Sequence, residues 1–196
     1  MAEFILASAS PRRKELLSLI TKEFDVIVSD ADEDSVSKNI PVTLYVQELA
    51  LLKAAATAKE VLKRKDVIII AADTIVTLDG KILGKPDGTD GAFEMLKSLS
   101  GRVHEVYTGY CIMRMSDGRM VCNSVRTEVE FKELTDEKIR GYIATSEPMD
   151  KAGAYGIQGY GSKLVRGING DYFNVVGLPV SAICDTLEKE FEIETF

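Results

Sequence analysis

The run Val67-Ile68-Ile69-Ile70-Ala71-Ala72 constrains the fold more than any other stretch of this chain. A strand with one wet face alternates apolar and polar side chains. An unbroken β-branched run suits a strand buried on both faces, in a sheet covered by helices. Helical spacing surrounds it. Val42, Val46, Leu49, Leu52 and Ala56 predict a long helix over about residues 42–64. Ser10 suits an N-cap and Pro11 the first helical position, which predicts a helix over 11–20 with Leu16, Leu17 and Ile20 as its apolar stripe. Residues 4–7 and 24–28 read as strands, and Ile75-Val76-Thr77-Leu78 as further strand after the buried run. Further helices are expected near 89–99, with Thr89 as cap candidate, near 135–145, where Thr135 and Lys138 supply half a capping box, and near 179–190. Asp79-Gly80, Asp117-Gly118 and Asn169-Gly170 are hairpin-type turn signals between strand-like residues. Helices that alternate with strands, some of them paired through tight turns, make an α/β chain with a mixed sheet.

No linker, repeat or low-complexity tract interrupts the 196 residues, so a single domain over 1–196 is expected. The formal net charge is −7, from 24 basic and 31 acidic residues. That balance argues against a non-specific nucleic-acid or anionic-membrane binder, which needs a broad basic field. A small anion requires only local positive charge. Cys111, Cys122 and Cys184 are odd in number, far apart in sequence and not in a CxxC spacing, as free thiols of a reducing compartment would be. No apolar run approaches a membrane span, and no basic region precedes a long apolar one at the N-terminus. A cytoplasmic location is the expectation.

Several segments carry chemistry. In Ser8-Ala9-Ser10-Pro11-Arg12-Arg13, hydroxyls, unpaired helix N–H groups and two arginines meet at a helix start. Cations are unfavourable there unless an anion visits or an acid pairs with them, so a phosphate or a surface carboxylate satisfies the pair equally. Asp73 ends the buried strand, where sites form in open α/β sheets; it reads as a metal or water-activating carboxylate, or as a turn residue. Lys53 shares the helix side of Leu49 and Ala50, and either snorkels to solvent or meets an anion. Gly84-Lys85-Pro86 is not a P-loop: Gly80 and Gly84 are three residues apart rather than four, and Pro86 stands where Ser or Thr should be. Lys85 on that corner can still act as a point charge on a phosphate. The glycine-rich run 150–161 lacks the dinucleotide fingerprint, and its Gln158 either presents an amide to a base edge or is an ordinary loop residue. The acidic stretch Ser29-Asp30-Ala31-Asp32-Glu33-Asp34 reads as a solvated charge run or a source of carboxylates. His104, the only histidine, reads as structural, and the Cys and His spacing disfavours zinc.

Together these segments resemble the Maf family of nucleoside triphosphate pyrophosphatases over essentially the full length. The match rests on Leu6-Ala7-Ser8-Ala9-Ser10-Pro11-Arg12-Arg13, Ala71-Ala72-Asp73-Thr74, Gly84-Lys85-Pro86, Leu99-Ser100-Gly101, Asp150 to Gly159 and Asn174-Val175-Val176-Gly177-Leu178-Pro179. The resemblance implies a fold like that of the inosine-triphosphate pyrophosphatases: an elongated mixed β-sheet with flanking helices and a cleft between two lobes. It implies hydrolysis of a nucleoside triphosphate to the monophosphate and pyrophosphate with a divalent cation, usually Mg²⁺, with Mn²⁺ or Co²⁺ as alternatives. A cytoplasmic homodimer is also implied.

Arg12, Thr74 and Gln158 match the positions thought to separate the family's branches, in the combination of the dTTP/UTP-type branch rather than the 7-methyl-GTP-type one. By the same resemblance Asp73 is the general base or orients water through the metal, and Glu33 is a second carboxylate toward it. Ser8, Arg12, Arg13, Lys53 and Lys85 clamp phosphate oxygens, and Thr74 and Gln158 read the pyrimidine. One departure is Leu52, where the family often has Glu before the matching lysine. The rival from another class is a non-catalytic nucleotide-binding regulator of septum formation. A rival within the fold is an inosine- or xanthosine-triphosphate pyrophosphatase.

Overall fold

β1 (Glu3–Ala7), α1 (Pro11–Leu17) and β2 (Phe24–Val26) open the chain as a βαβ unit, with β1 and β2 parallel and Phe4 opposite Phe24. α2 (Val42–Glu60) then crosses over to β3 (Val67–Leu78), which lies parallel to β1 on its other side and sets Ala7 opposite Ala71. β4 (Lys81–Leu83) folds back antiparallel on β3 through Asp79-Gly80. The remaining elements are α3 (Gly88–Leu99), β5 (Val103–Arg114), β6 (Met120–Phe131), α4 (Asp136–Ile143), β7 (Val165–Asn169), α5 (Tyr172–Val176) and α6 (Val180–Phe191). The sheet is seven-stranded and mixed, in the order β2-β1-β3-β5-β6-β7 with β4 on β3. The computed structural model describes residues 3–28 and 30–195; Ser29, which opens the acidic stretch, lies outside them. No helix among the described residues is long and apolar enough to cross a membrane.

The chain divides into two units. The first comprises Met1–Asp73, Thr108–Val125 and Gly177–Phe196. Its core joins Val67, Ile69 and Ala71 of β3 to Ala50 and Ala54 of α2, Ile5 and Ala7 of β1, and Cys111 of β5. Ile68 and Ile70, on the opposite face of β3, are also fully buried, as the unbroken run requires. Gly109 lets α2 approach β5: a Cβ there would lie 2.2 Å from the Val46 carbonyl oxygen. Gln47 Nε2 donates to Ser124 Oγ at 3.2 Å, and the Tyr110 hydroxyl bonds Thr186 Oγ1 of α6 at 2.9 Å. α2 and α6 are thereby tied to the sheet.

The second unit comprises Thr74–Tyr107 and Arg126–Val176. One sheet face there buries Val76, Leu78, Val106, Val129 and Phe131 against Leu96 and Leu99 of α3 and Ile139 and Tyr142 of α4. The other face is polar: Thr77, Tyr107 and Arg126 all bond the Glu105 carboxylate. That is the one-dry, one-wet arrangement of a half-covered sheet. His104 is buried among Phe131 and Tyr155, both edge-on to it, with Nε2 2.7 Å from the Tyr155 hydroxyl. Burial pushes its pKa down to about 4, so it is a neutral core residue, as read from sequence.

The structure corrects several expectations. α2 stops at Glu60, because Val61 turns inward to join the core with Val67 and the next residues must reverse into β3. Core burial outweighs the helix propensity of Leu62, Lys63 and Arg64. α1 ends at Leu17 in tighter i→i+3 turns, with Leu19 N–H bonding Leu16 O. Thr89 lies inside α3, whose N-cap is Asp87. Asn169-Gly170 ends β7 and leads into α5, which sequence reading did not anticipate; among the described residues no strand follows it. Cys111, Cys122 and Cys184 are free thiols, as read from sequence.

Candidate active site

The parallel register of β1 and β3 builds the first part of the site. With Ala7 opposite Ala71, the chain leaves β1 at Ser8 beside Asp73, which lies inside β3 rather than ending it as the sequence suggests, because Val76–Leu78 extend the strand to pair with β4. The carboxyl end of a parallel strand is where open α/β sheets place their ligands. Ser10 caps α1, its hydroxyl accepting from Arg13 N–H, with Pro11 next, as the sequence predicts. The cap fixes the first turn, so Arg12 and Arg13 leave it in set directions. Arg13 turns back: its Nε donates to the Gly177 carbonyl at 2.8 Å and its Nη1 to Ser8 Oγ at 3.1 Å. Burial pulls the Arg13 guanidinium below its ordinary value, the Asp73 charge opposes this, and Arg12 adds to the lowering.

Lys53 settles its own two readings. It emerges from α2 between the buried Ala50 and Ala54, and only 13% of its side chain is exposed. Its Nζ reaches Asp73 Oδ1 at 2.5 Å and Glu33 Oε1 at 3.1 Å. It therefore meets anions, and they belong to the protein. Glu33 lies in a 3₁₀ turn, Glu33–Ser35, held by Ser35 Oγ donating to the Asp32 carbonyl at 2.6 Å. Of the acidic stretch, Glu33 is thus the carboxylate that joins Lys53.

Ser8, Arg13, Glu33, Lys53 and Asp73 come together within the first unit, with Arg12 beside Arg13. Thr74, Lys85 and Gln158 belong to the second unit. Thr74 follows Asp73 in β3 and is half-buried; Lys85 is exposed between β4 and α3; Gln158 is exposed just before the 3₁₀ turn Gly159–Lys163.

Two participants escaped sequence reading. Tyr45, buried on α2, has its phenol pushed up by burial and by the charges of Asp73, Glu33 and Asp34. It stands eight residues before Lys53 on one helix stripe, and that spacing was the available signal. Gly177 supplies the carbonyl that holds Arg13; it sits in the Asn174–Pro179 segment, which carried resemblance but no assigned role.

The set is an electrostatically balanced pair of cations and carboxylates around a buried hydroxyl. It can fix a polyanion and hold a base near it. Glu33 and Asp73 offer hard oxygens to one common point, marked by the Lys53 ammonium, which is the donor chemistry a divalent cation needs alongside phosphate oxygens. No group of three or more His, Cys, Asp or Glu side chains among the described residues forms a protein-only metal cage.

A profile of the family described as Maf-like protein matches residues 3–190. The chain belongs to the Maf family. Curated relatives named dTTP/UTP pyrophosphatase include that of Clostridium novyi (strain NT), 53% identical over 179 residues, covering 91% of this chain and 93% of the relative. That of Thermoanaerobacter sp. (strain X514) is 49% identical over 191 residues, 97% and 98% of the two chains. That of Thermococcus onnurineus (strain NA1) is 51% identical over 189 residues, 96% and 98%. Among solved structures, the Staphylococcus aureus Ham1 protein aligns over 83% of this chain and 79% of its own, at 17% identity and a TM-score of 0.47. A HAM1 protein from Coxiella burnetii aligns over 84% and 81%, at 18% identity and a TM-score of 0.49.

Proposed function

We propose that this Maf protein hydrolyses dTTP and UTP to the monophosphate and pyrophosphate. The observation that carries the reading is the convergence of Ser8, Arg13, Lys53 and two carboxylates where β1 ends beside the middle of β3. The relatives' names supply the substrate.

Asp73 is the general base: its carboxylate takes the proton of the attacking water, and Lys53 holds it in one orientation. Arg13 and Ser8, pre-bonded to each other, present guanidinium N–H groups and a hydroxyl to phosphate oxygens as charge develops on them. Arg12 adds positive charge from the same helical turn, and Lys85 acts as a further point charge on the triphosphate. A divalent cation, Mg²⁺ first and Mn²⁺ or Co²⁺ by the same oxygen chemistry, would be held by Glu33 and Asp73 and would neutralise triphosphate charge. Thr74, Gln158 and Arg12 discriminate the base. A cytoplasmic homodimer is part of the same reading, and its assembly is measurable by light scattering.

The test is release of pyrophosphate from a panel of nucleoside triphosphates by the purified protein with Mg²⁺. UTP and dTTP should lead the panel, and Asp73→Asn should lower kcat by about 10²–10⁴-fold, the usual worth of a positioned base. An Asn variant with near-normal turnover would remove Asp73 from that role. Binding of UTP without any pyrophosphate release would favour the non-catalytic regulator.

A further inference from the structure

The glycine-rich run carries Gln158, and an amide on an exposed loop reads a base only if the loop is held still. Gln158 itself is solvent-exposed, and its neighbours on both sides include glycine. The order comes from a residue outside the run.

Glu147 opens the 3₁₀ turn Glu147–Asp150, directly after Ser146, whose φ of 61° turns the chain sharply. Its carboxylate spans the run from beneath. Oε2 accepts from Tyr160 N–H at 2.9 Å, and Oε1 from Gly161 N–H at 2.9 Å. Oε1 also accepts from the hydroxyl of Tyr142, at 2.9 Å. That hydroxyl in turn accepts from Gly156 N–H at 3.1 Å. One carboxylate therefore fastens the backbone two residues before Gln158 through Tyr142, and two and three residues after it directly. Tyr142 is buried in α4 and anchors the assembly to the core of the second unit. Lys151 Nζ bonds the Glu147 carbonyl oxygen and the Asp150 carboxylate, which steadies the turn that presents Glu147.

Two glycines after Gln158 stand where the clasped loop leaves no room for a side chain. Gly159 has φ +62°, and a Cβ there would lie 2.6 Å from Glu147 Oε2. A Cβ on Gly161 would lie 2.1 Å from the Gly156 carbonyl oxygen and 2.8 Å from the Tyr142 hydroxyl. The carboxylate closes position 159, and the Gly156 carbonyl together with the Tyr142 hydroxyl closes position 161. Burial works against the charged form of Glu147, but the Tyr160 and Gly161 N–H groups, the Tyr142 hydroxyl and the Lys151 charge outweigh it and hold the carboxyl below its usual range.

We propose that Glu147 is the positioning residue for base selection: it acts through the backbone of residues 156–161 to place Gln158. This rests on the reading of Gln158 as a base-discriminating residue. Substituting Gln at 147 keeps size but leaves one acceptor oxygen where two are needed, and turns an NH₂ group toward a backbone N–H. The loop then loses its fixed course while the phosphate-binding residues of the first unit are untouched.

The experiment compares the wild type, E147Q, Q158A and the double variant. It measures kcat/KM for UTP and CTP, and amide hydrogen exchange across residues 156–161. In E147Q, exchange at Tyr160 and Gly161 should rise, and the UTP-to-CTP preference should fall about tenfold, the worth of roughly one well-placed hydrogen bond. The double variant should be no less selective than Q158A alone, because both changes remove one device. Y142F, which keeps the ring and deletes only the hydroxyl, should shift the preference the same way by less, and it carries the test if E147Q does not fold. Unchanged exchange in E147Q, or selectivity losses that multiply in the double variant, would overturn the clasp. A wild type indifferent to the base would instead overturn the reading of Gln158 beneath it, with the exchange result standing separately.

Discussion

The ammonium of Lys53 sits 2.5 Å from Asp73 Oδ1 and 3.1 Å from Glu33 Oε1, so one cation on α2 joins a carboxylate in the middle of β3 to one from a distant 3₁₀ turn. Both Lys53 and Asp73 have only 13% of their side chains exposed, which leaves little water to screen the pair. Glu33 is far more open, at 53%. The Lys53–Asp73 bond therefore dominates the arrangement, and Glu33 is the partner with freedom to move.

Lys53→Met should lower kcat/KM for UTP on the order of a hundredfold, as expected for loss of one preorganised charge at a reacting phosphate. Two carboxylates would then face each other without a cation between them. Higher Mg²⁺ concentrations should recover part of the loss, because both acids become more available to metal. A Mg²⁺ titration of the variant checks this, and a loss insensitive to Mg²⁺ would count against the shared role of the two acids.

Arg13→Lys preserves charge and removes the fork that serves Gly177 and Ser8 at once. KM for UTP should rise about tenfold or more with a smaller change in kcat, since an ammonium cannot hold both bonds and also face a phosphate. Steady-state kinetics separate the two constants. Ser8→Ala should give a milder effect in the same direction.

His104 makes stability pH-dependent. Its pKa is about 4 in the folded chain against 6.5 for the free side chain, because burial penalises the imidazolium. As pH falls below 6.5 the unfolded chain takes a proton that the folded one refuses, so stability falls between pH 6.5 and about 4 and levels off below. The full loss from this group is roughly 3 kcal/mol. Above pH 6.5 both states are neutral and the contribution is constant. Denaturant unfolding of wild type and His104→Gln from pH 7.5 to 4 checks it: the difference between the two should shrink as the pH falls. A constant difference would mean that His104 binds its proton equally well in the folded and unfolded chains, and so is not lowered by burial.

The buried run Val67–Ile70, the Ser10-Pro11 helix start and the Asp79-Gly80 hairpin were legible because each depends on residues adjacent in sequence. Period, capping and turn chemistry act over a few residues, and the structure forms all three where the sequence places them. Elements failed at their ends. The missing last turn of α2 answers to Val61 entering the core beside Val67, a contact that no helical propensity contains. Asn169-Gly170 has hairpin chemistry, yet the chain goes into α5, where the Asn174 amide bonds Val106 O at 3.1 Å and Thr127 Oγ1 at 2.9 Å.

The site divides in the same way. Sequence by itself determined which residue types stand at the helix start, after the buried apolar run and in the glycine-rich run, and so the kind of ligand they suit. It also carried the resemblance to the Maf family. Only the tertiary structure decided that Lys53 answers to Asp73 and Glu33, that Gly177 holds Arg13, and that Glu147 fastens the run around Gln158. Those pairings join residues as much as 164 positions apart. Their partners are chosen by strand register, helix packing and burial, which remove water from a charge and leave it only the neighbours that the fold supplies.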